Sequence, residues 1–241
     1  GRAMGRGVVT MSGQREPDGQ TATQLTVIGA VGLGACVVRR ASLRWGATHG
    51  ESRGALPGDD VVPVPDYCAT NALTVQAPRE QVWPWLVQMG GYTRAGWYSL
   101  DRFDNGGVPS ASEIIPELQH LKVGDLLPTD RDGTGFVVER LEPPRALVMT
   151  IREQGTVTSS AFELRRHGTD TRLLCRLRLT APLTLRGVRY RLLMELGHVP
   201  MTLAMLRGIR RRAEGRAERP PGRLDVAMHV SMFRAEEDLS E

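Results

Sequence analysis

The chain has 241 residues, 41% of them hydrophobic and 24% charged, which suits one large or two small globular domains and argues against collagenous, coiled-coil or wholly disordered readings. The net charge of +4 is concentrated near one end: residues 205–219 carry six arginines and two glutamates, and 220–241 carry two basic and five acidic residues. Cys36, Cys68 and Cys175 form no CxxC pair, and the five histidines form no HxxxH pattern, so neither a disulfide framework nor a metal site is expected.

The Gly-, Arg- and Gln-rich residues 1–24 read as a disordered arm. Residues 25–38 (LTVIGAVGLGACVV) are apolar, and Arg39, Arg40 and Arg44 follow. Such a run is short for a span of roughly 20 residues. The segment 25–42 is read as a membrane tether, with a soluble arm or lipidated export as alternatives. If it inserts, the arginines place the domain at the cytoplasmic face of the membrane. Residues 43–67 form a lead-in or linker.

From about Cys68 the patterning sharpens. Residues 69–76 (ATNALTVQ) predict a strand, and Pro78 then starts a helix in which Val82, Trp85, Leu86 and Met89 share one face. Pro84 is expected to kink or restart that helix. Further on the period becomes two: Phe136, Val138 and Arg140 share one face, as do Leu147, Met149 and Ile151 across the Glu142-Pro143-Pro144 turn. In residues 171–180, Leu173, Cys175, Leu177 and Leu179 alternate with Arg172, Arg176 and Arg178, predicting a core face and a solvent face. Residues 156–165 form the partner strand. A long helix over roughly 185–213 carries an apolar stripe of Val188, Leu192, Leu196, Val199, Leu203 and Leu206, to be packed on the sheet. An acidic, flexible tail is expected over 215–241.

This order, and more specifically residues 83–90 (WPWLVQMG), 94–99 (RAGWYS), Asp104-Asn105, Val123-Gly124-Asp125 and 141–147 (LEPPRAL), resembles the actinobacterial branch of the SRPBCC (START-like, polyketide cyclase/dehydrase-like) superfamily. Residues 43–48 (LRWGAT) and 56–60 (LPGDD) resemble the lead-in of that branch. The resemblance covers residues 43–213. It implies an α+β helix-grip fold over 68–214, with a curved antiparallel sheet wrapped on a long C-terminal helix and two short helices after the first strand. It also implies a central cavity for a hydrophobic, lipid- or polyketide-like molecule.

Aromatic residues are scarce at 5%, yet Trp83, Trp85, Tyr92, Trp97, Tyr98 and Phe103 fall within residues 83–103. If residues 97–105 are helical, Trp97, Asp101 and Asn105 share a face. On the binding reading, Trp97 and Tyr98 line the cavity mouth and Asp101 and Arg94 orient a polar end of the ligand, while Trp85, Met89, Phe136, Phe162 and Leu196 complete the lining. The bland reading is that the rings are core and that Arg94 and Asp101 pair or cap. An enzymatic alternative uses Tyr98 or Asp101 as acid or base in an aldol-type cyclisation or dehydration, with Arg94 stabilising an enolate. No phosphate loop, nucleophile elbow or dinucleotide fingerprint appears, so no cofactor is expected. Arg207–Arg219 is a candidate for docking on anionic lipid; without interleaved aromatics it argues against nucleic acid.

Overall fold

A computed structural model describes residues 37–216. The expected arm, the tail beyond residue 216 and residues 25–36 of the expected tether lie outside the described residues. Among the described residues no helix is long and apolar enough to cross a membrane.

A short helix α1 (His49–Arg53) precedes strand β1 (Tyr67–Val75), helix α2 (Arg79–Val87), a single turn α3 (Asp101–Asp104), strands β2 (Leu126–Pro128), β3 (Gly135–Glu142), β4 (Ala146–Glu153), β5 (Thr156–His167) and β6 (Asp170–Thr180), and the long helix α4 (Leu185–Ala213). The six strands form one curved antiparallel sheet in the order β1-β6-β5-β4-β3-β2, with α4 against its apolar face: the helix-grip fold. Cross-strand partners such as Phe162 with Cys175 and Leu164 with Leu173 put the alternating apolar side chains on that face. The helix α2 runs on through Pro84 and does not restart there. Between Val138 and Arg140 a bulge shifts the register of β3. Arg140 is thereby turned away from the face of Phe136 and Val138 and meets Asp60 at 2.9 Å.

The opposite face of the sheet is where the structure departs most from the alternation. Arg172, Arg176 and Arg178, expected to face solvent, lie beneath residues 43–66, which are part of the same compact unit as the sheet. The lead-in first guards an edge: Thr70 and Ala72 of the outermost strand β1 donate their N–H groups to Leu43 O (2.8 Å) and Trp45 O (3.1 Å). Gly46 follows at φ +70°, where a Cβ would stand 2.0 Å from Ala72 O, so the chain can hug the strand only with glycine there. Thr48 and Glu51 then form a reciprocal capping box that starts α1.

Arg176 fastens this layer. Its side chain is only 3% exposed. It donates to Thr70 Oγ1 (2.9 Å), Asp59 Oδ2 (2.6 Å), Gly54 O (2.9 Å), Glu51 O (2.8 Å) and Ser52 O (3.1 Å). On either side, Arg178 donates to Val62 O and Pro63 O, and Arg172 to Glu51. The Arg172 guanidinium draws the Glu51 carboxyl down to about 2. Little apolar surface backs the layer, chiefly Leu56 against Ala72 and Leu174. Arg176→Met takes a charged donor from the carbonyls of Glu51, Ser52 and Gly54 and leaves the Asp59 carboxylate to Leu56 N and Arg178 alone. It should therefore cost about 3–5 kcal/mol in chemical denaturation, whereas Arg166→Met, at an exposed pair 3.8 Å from Glu80, should change stability by less than about 1 kcal/mol. Equal, small losses would show that the layer is not held by Arg176.

Candidate functional site

Trp85, Trp97 and Tyr98, at the centre of the aromatic cluster, are packed shut, while Phe103 is exposed. Trp85, Met89, Trp97, Tyr98 and Phe162 are all buried in one core, with Phe136 partly buried against it. Trp85 meets Tyr98 edge-on at 6.0 Å and Trp97 meets Phe136 at 6.0 Å, while the Trp97 indole N–H donates to Pro128 O at 3.2 Å. Residues 97–100 are not helical: Tyr98 sits at φ +57°, and only the single turn α3 forms, so Trp97 and Asp101 do not share a helix face.

The polar candidates are engaged with the backbone. Arg94 folds back to donate to Met89 O (2.7 Å) and Val87 O (2.6 Å), capping the last turn of α2. Asp101 accepts from Ser110 N at 2.9 Å and from the Ser110 hydroxyl, and Ser110 Oγ in turn accepts from Tyr98 N at 3.0 Å. Arg94 and Asp101 therefore brace one loop from separate points and form no pair with each other.

Tyr98 is clamped by α4. Gly208 lets the helix approach so closely that a Cβ there would be 2.1 Å from Tyr98 O, and the Arg212 guanidinium lies 4.5 Å from the ring centroid while donating to Ala111 O (2.6 Å) and Ser110 O (3.2 Å). The Tyr98 hydroxyl is sealed from solvent with no well-formed hydrogen bond, the Gln88 amide being the polar group that bears on it. Burial pushes the phenol far above its ordinary value, so it is neutral at physiological pH and no base. Gln88, Ser110, Gly208 and Arg212 are the residues the sequence reading missed here. Their partners lie from 9 to over 100 positions away, and no local period signals that.

Three of the five described arginines of the 207–219 stretch are likewise turned to protein. Arg207 stacks on Trp45 at 4.9 Å, Arg212 clamps Tyr98, and Arg216 donates to Gln76 Oε1 at 3.0 Å. Arg207, Arg211 and Arg216 nevertheless remain exposed.

The open space lies at the other end of α4. From Val199 onward the helix is covered on one side by the sheet and on the other by α2 and the loop before Ala111, and Val199, Thr202, Met205, Leu206 and Ile209 are buried. Over its first half it scarcely touches β3, β4 or β5. The face it turns to the sheet there is not the predicted leucine stripe. Tyr190 and Met194 pack on Tyr67, Ala69, Leu177 and Leu179, while His198 Nδ1 lies 3.2 Å from Tyr67 Oη and Nε2 2.9 Å from Thr202 Oγ1. Leu196, expected in the cavity lining, is 79% exposed on the far side.

Between this half of α4 and the β4–β5 hairpin is a cleft of about 260 Å³ whose walls include Ile151, Thr156, Thr158, Pro182, Gly187 and Tyr190. Thr158 Oγ1 and Tyr190 Oη, 3.5 Å apart, link the sheet to the helix there. Thr184 caps the helix by accepting from Gly187 N at 3.2 Å, and a Cβ on Gly187 would stand 2.1 Å from Pro182 O. None of the nine candidate residues lines this cleft. One sequence signal could have pointed to it: Thr156, Thr158 and Ser160 make the inner face of β5 polar just where Phe162 and Leu164 make the rest apolar.

No protein-family model matches the chain, and no curated protein matches it in sequence. Solved structures with a similar fold include CalU16 from Micromonospora echinospora (18% identical over 68% of this chain and 88% of that one, TM-score 0.32). NE0264 from Nitrosomonas europaea is 14% identical over 62% of this chain and 96% of its own, with TM-score 0.40. DynU16, from the dynemicin biosynthetic locus, is 14% identical over 59% of this chain and 47% of its own, with TM-score 0.37.

Two outcomes test this packing. Gly208→Ala should cost about 2–4 kcal/mol in chemical denaturation, since backbone must move to admit the methyl group; a neutral result would mean that α4 and the Tyr98 loop are not in contact. His198, whose burial lowers it from 6.5 to about 4, adds stability that is full above 6.5 and lost as pH falls towards 4. The loss over that window, about 2–3 kcal/mol at most, should flatten in His198→Gln.

Proposed function

We propose that this chain binds a small molecule with an apolar body in the cleft between the first half of α4 and the β4–β5 hairpin, and does so without converting it. The observation that carries the reading is the cleft itself, the place where helix and sheet part while the rest of the inner face is tightly packed. Ile151, Pro182 and the Tyr190 ring offer apolar walls, and Thr156, Thr158 and the Tyr190 hydroxyl offer a few donors and acceptors, the mixture that ligand sites favour. The resemblance to the SRPBCC superfamily, with its hydrophobic ligands, supports the same reading. A location at the cytoplasmic face of a membrane, held by residues 25–42, belongs to this proposal too.

The alternative, a cyclase or dehydratase, would draw on Tyr98, Asp101 and Arg94. Their neutral phenol and backbone-bound polar groups offer it no acid–base pair facing the cleft. The test is dye displacement together with native mass spectrometry on the purified full chain. An environment-sensitive apolar dye should bind and be displaced by lipid-like competitors, and Thr158→Trp, which fills the cleft, should weaken it by about tenfold or more. Tyr98→Phe and Asp101→Asn should bind as the wild type does. A dye that finds no site, or one indifferent to Thr158→Trp, overturns the proposal.

A further inference from the structure

The outer face of the same half-helix is an exposed apolar surface that the fold leaves uncovered. Leu183, Leu185, Leu192, Leu193 and Leu196 are between 58% and 89% exposed, in a protein whose other leucines are mostly core. Leu185, Leu192 and Leu196 fall within a narrow arc at positions i, i+7 and i+11, so the exposure is one stripe and not a scatter of single residues.

The charges along this surface are of one dominant sign. Residues 183–200 contain Arg186, Arg189 and Arg191 against Glu195 alone. Arg191 leans towards Asp66 on the sheet side (3.9 Å), and Arg186 reaches Gln154, while Arg186 and Arg189 are both exposed next to the leucines. A leucine stripe flanked by arginines is the pattern of a helix lying in a membrane interface, with aliphatic side chains among the acyl chains and guanidinium groups at the phosphates. A second protein copy would bring the same arginines face to face, whereas an anionic lipid surface complements them.

We propose that the outer face of α4 and its lead-in, between Leu183 and Pro200, docks on the surface of an anionic phospholipid bilayer. Thr184, Arg186 and Gly187 belong both to this helix segment and to the wall of the cleft, so docking would bring the cleft mouth to the lipid. That consequence rests on the cleft being a binding site; the docking itself does not.

Sedimentation with phosphatidylcholine vesicles carrying about a quarter phosphatidylglycerol tests it on the full chain. The wild type should partition to these vesicles more strongly than to pure phosphatidylcholine, and added salt should weaken the binding. The double variant Leu192→Ser/Leu196→Ser should lower partitioning by about tenfold, Arg189→Glu should lower it and blunt the salt dependence, and Leu192→Phe/Leu196→Phe should retain it. Dye binding in the cleft, measured on the same samples, should survive in all three variants, which separates failure here from failure of the ligand site. Vesicle binding that is absent, or that the serine pair leaves intact because another segment carries it, overturns the proposal. So does a wild-type dimer in analytical ultracentrifugation that the serine pair dissociates, because the face would then be covered by a second copy.

Discussion

A buried guanidinium organises this molecule. Arg176 sits in the middle of β6, on the side of the sheet away from α4, and its donors reach both the Glu51–Gly54 segment and Asp59 of the lead-in. Removing that charge from water is costly, and the cost is offset only because every donor meets an acceptor, among them the Asp59 carboxylate. The layer it holds has almost no apolar core of its own, so the ion-pair lattice of Arg172, Arg176, Arg178, Glu51 and Asp59 substitutes for one. The consequence for function is topological. With the outer face of the sheet and the free edge of β1 both covered by residues 43–66, the inner face is the one surface of the sheet left to receive a helix and enclose a space.

How much of this could be read from the chain follows from what a period measures. Alternation in β6 correctly separates Leu173, Cys175, Leu177 and Leu179 from the arginines, and the β3–β4 and β5–β6 hairpins and the long final helix follow from similar local patterns. A period reports which side chains share a face, however, and is silent on what lies over that face. The arginines of β6 look like a solvent face because arginines usually are, yet protein covers them. The leucines of α4 look like a core face because leucines usually are, yet over half the helix nothing among the described residues covers them.

The aromatic cluster is a different case: its central side chains lie in the core and none lines the cleft. Its composition, large rings interleaved with Arg94, Asp101 and Ser99, is that of a pocket lining and equally that of a braced loop. Which of the two it is depends on where each polar atom finds its partner. Arg94 finds carbonyls seven and five positions back, Asp101 finds Ser110, and Tyr98 is held by Gly208 and Arg212 from the far end of the chain. The left-handed backbone at Tyr98 and the close approach of Gly208 are tertiary facts, set by packing rather than by the residues' own preferences.

The two unfilled features, the cleft and the leucine stripe, have one geometric origin. At about 1.5 Å per residue, α4 extends some 44 Å and α2 only about 14 Å, so α2 and the loop that follows it can cover only part of the longer helix. Where they reach, both sides of α4 are buried and the interior closes around Tyr98. Where they stop, α4 keeps contact with the sheet through Tyr190, Met194 and His198 along β1 and β6, and stands clear of β4. An apolar outer stripe is then exposed on the same turns whose inner side borders an open cleft. A sequence that needed this half-helix only as a strut would gain solubility by replacing Leu192, Leu193 and Leu196 with polar residues at no cost to packing. That the chain carries leucines there, beside Arg186 and Arg189, is the strongest physical reason to treat the outer face of α4 as a working surface.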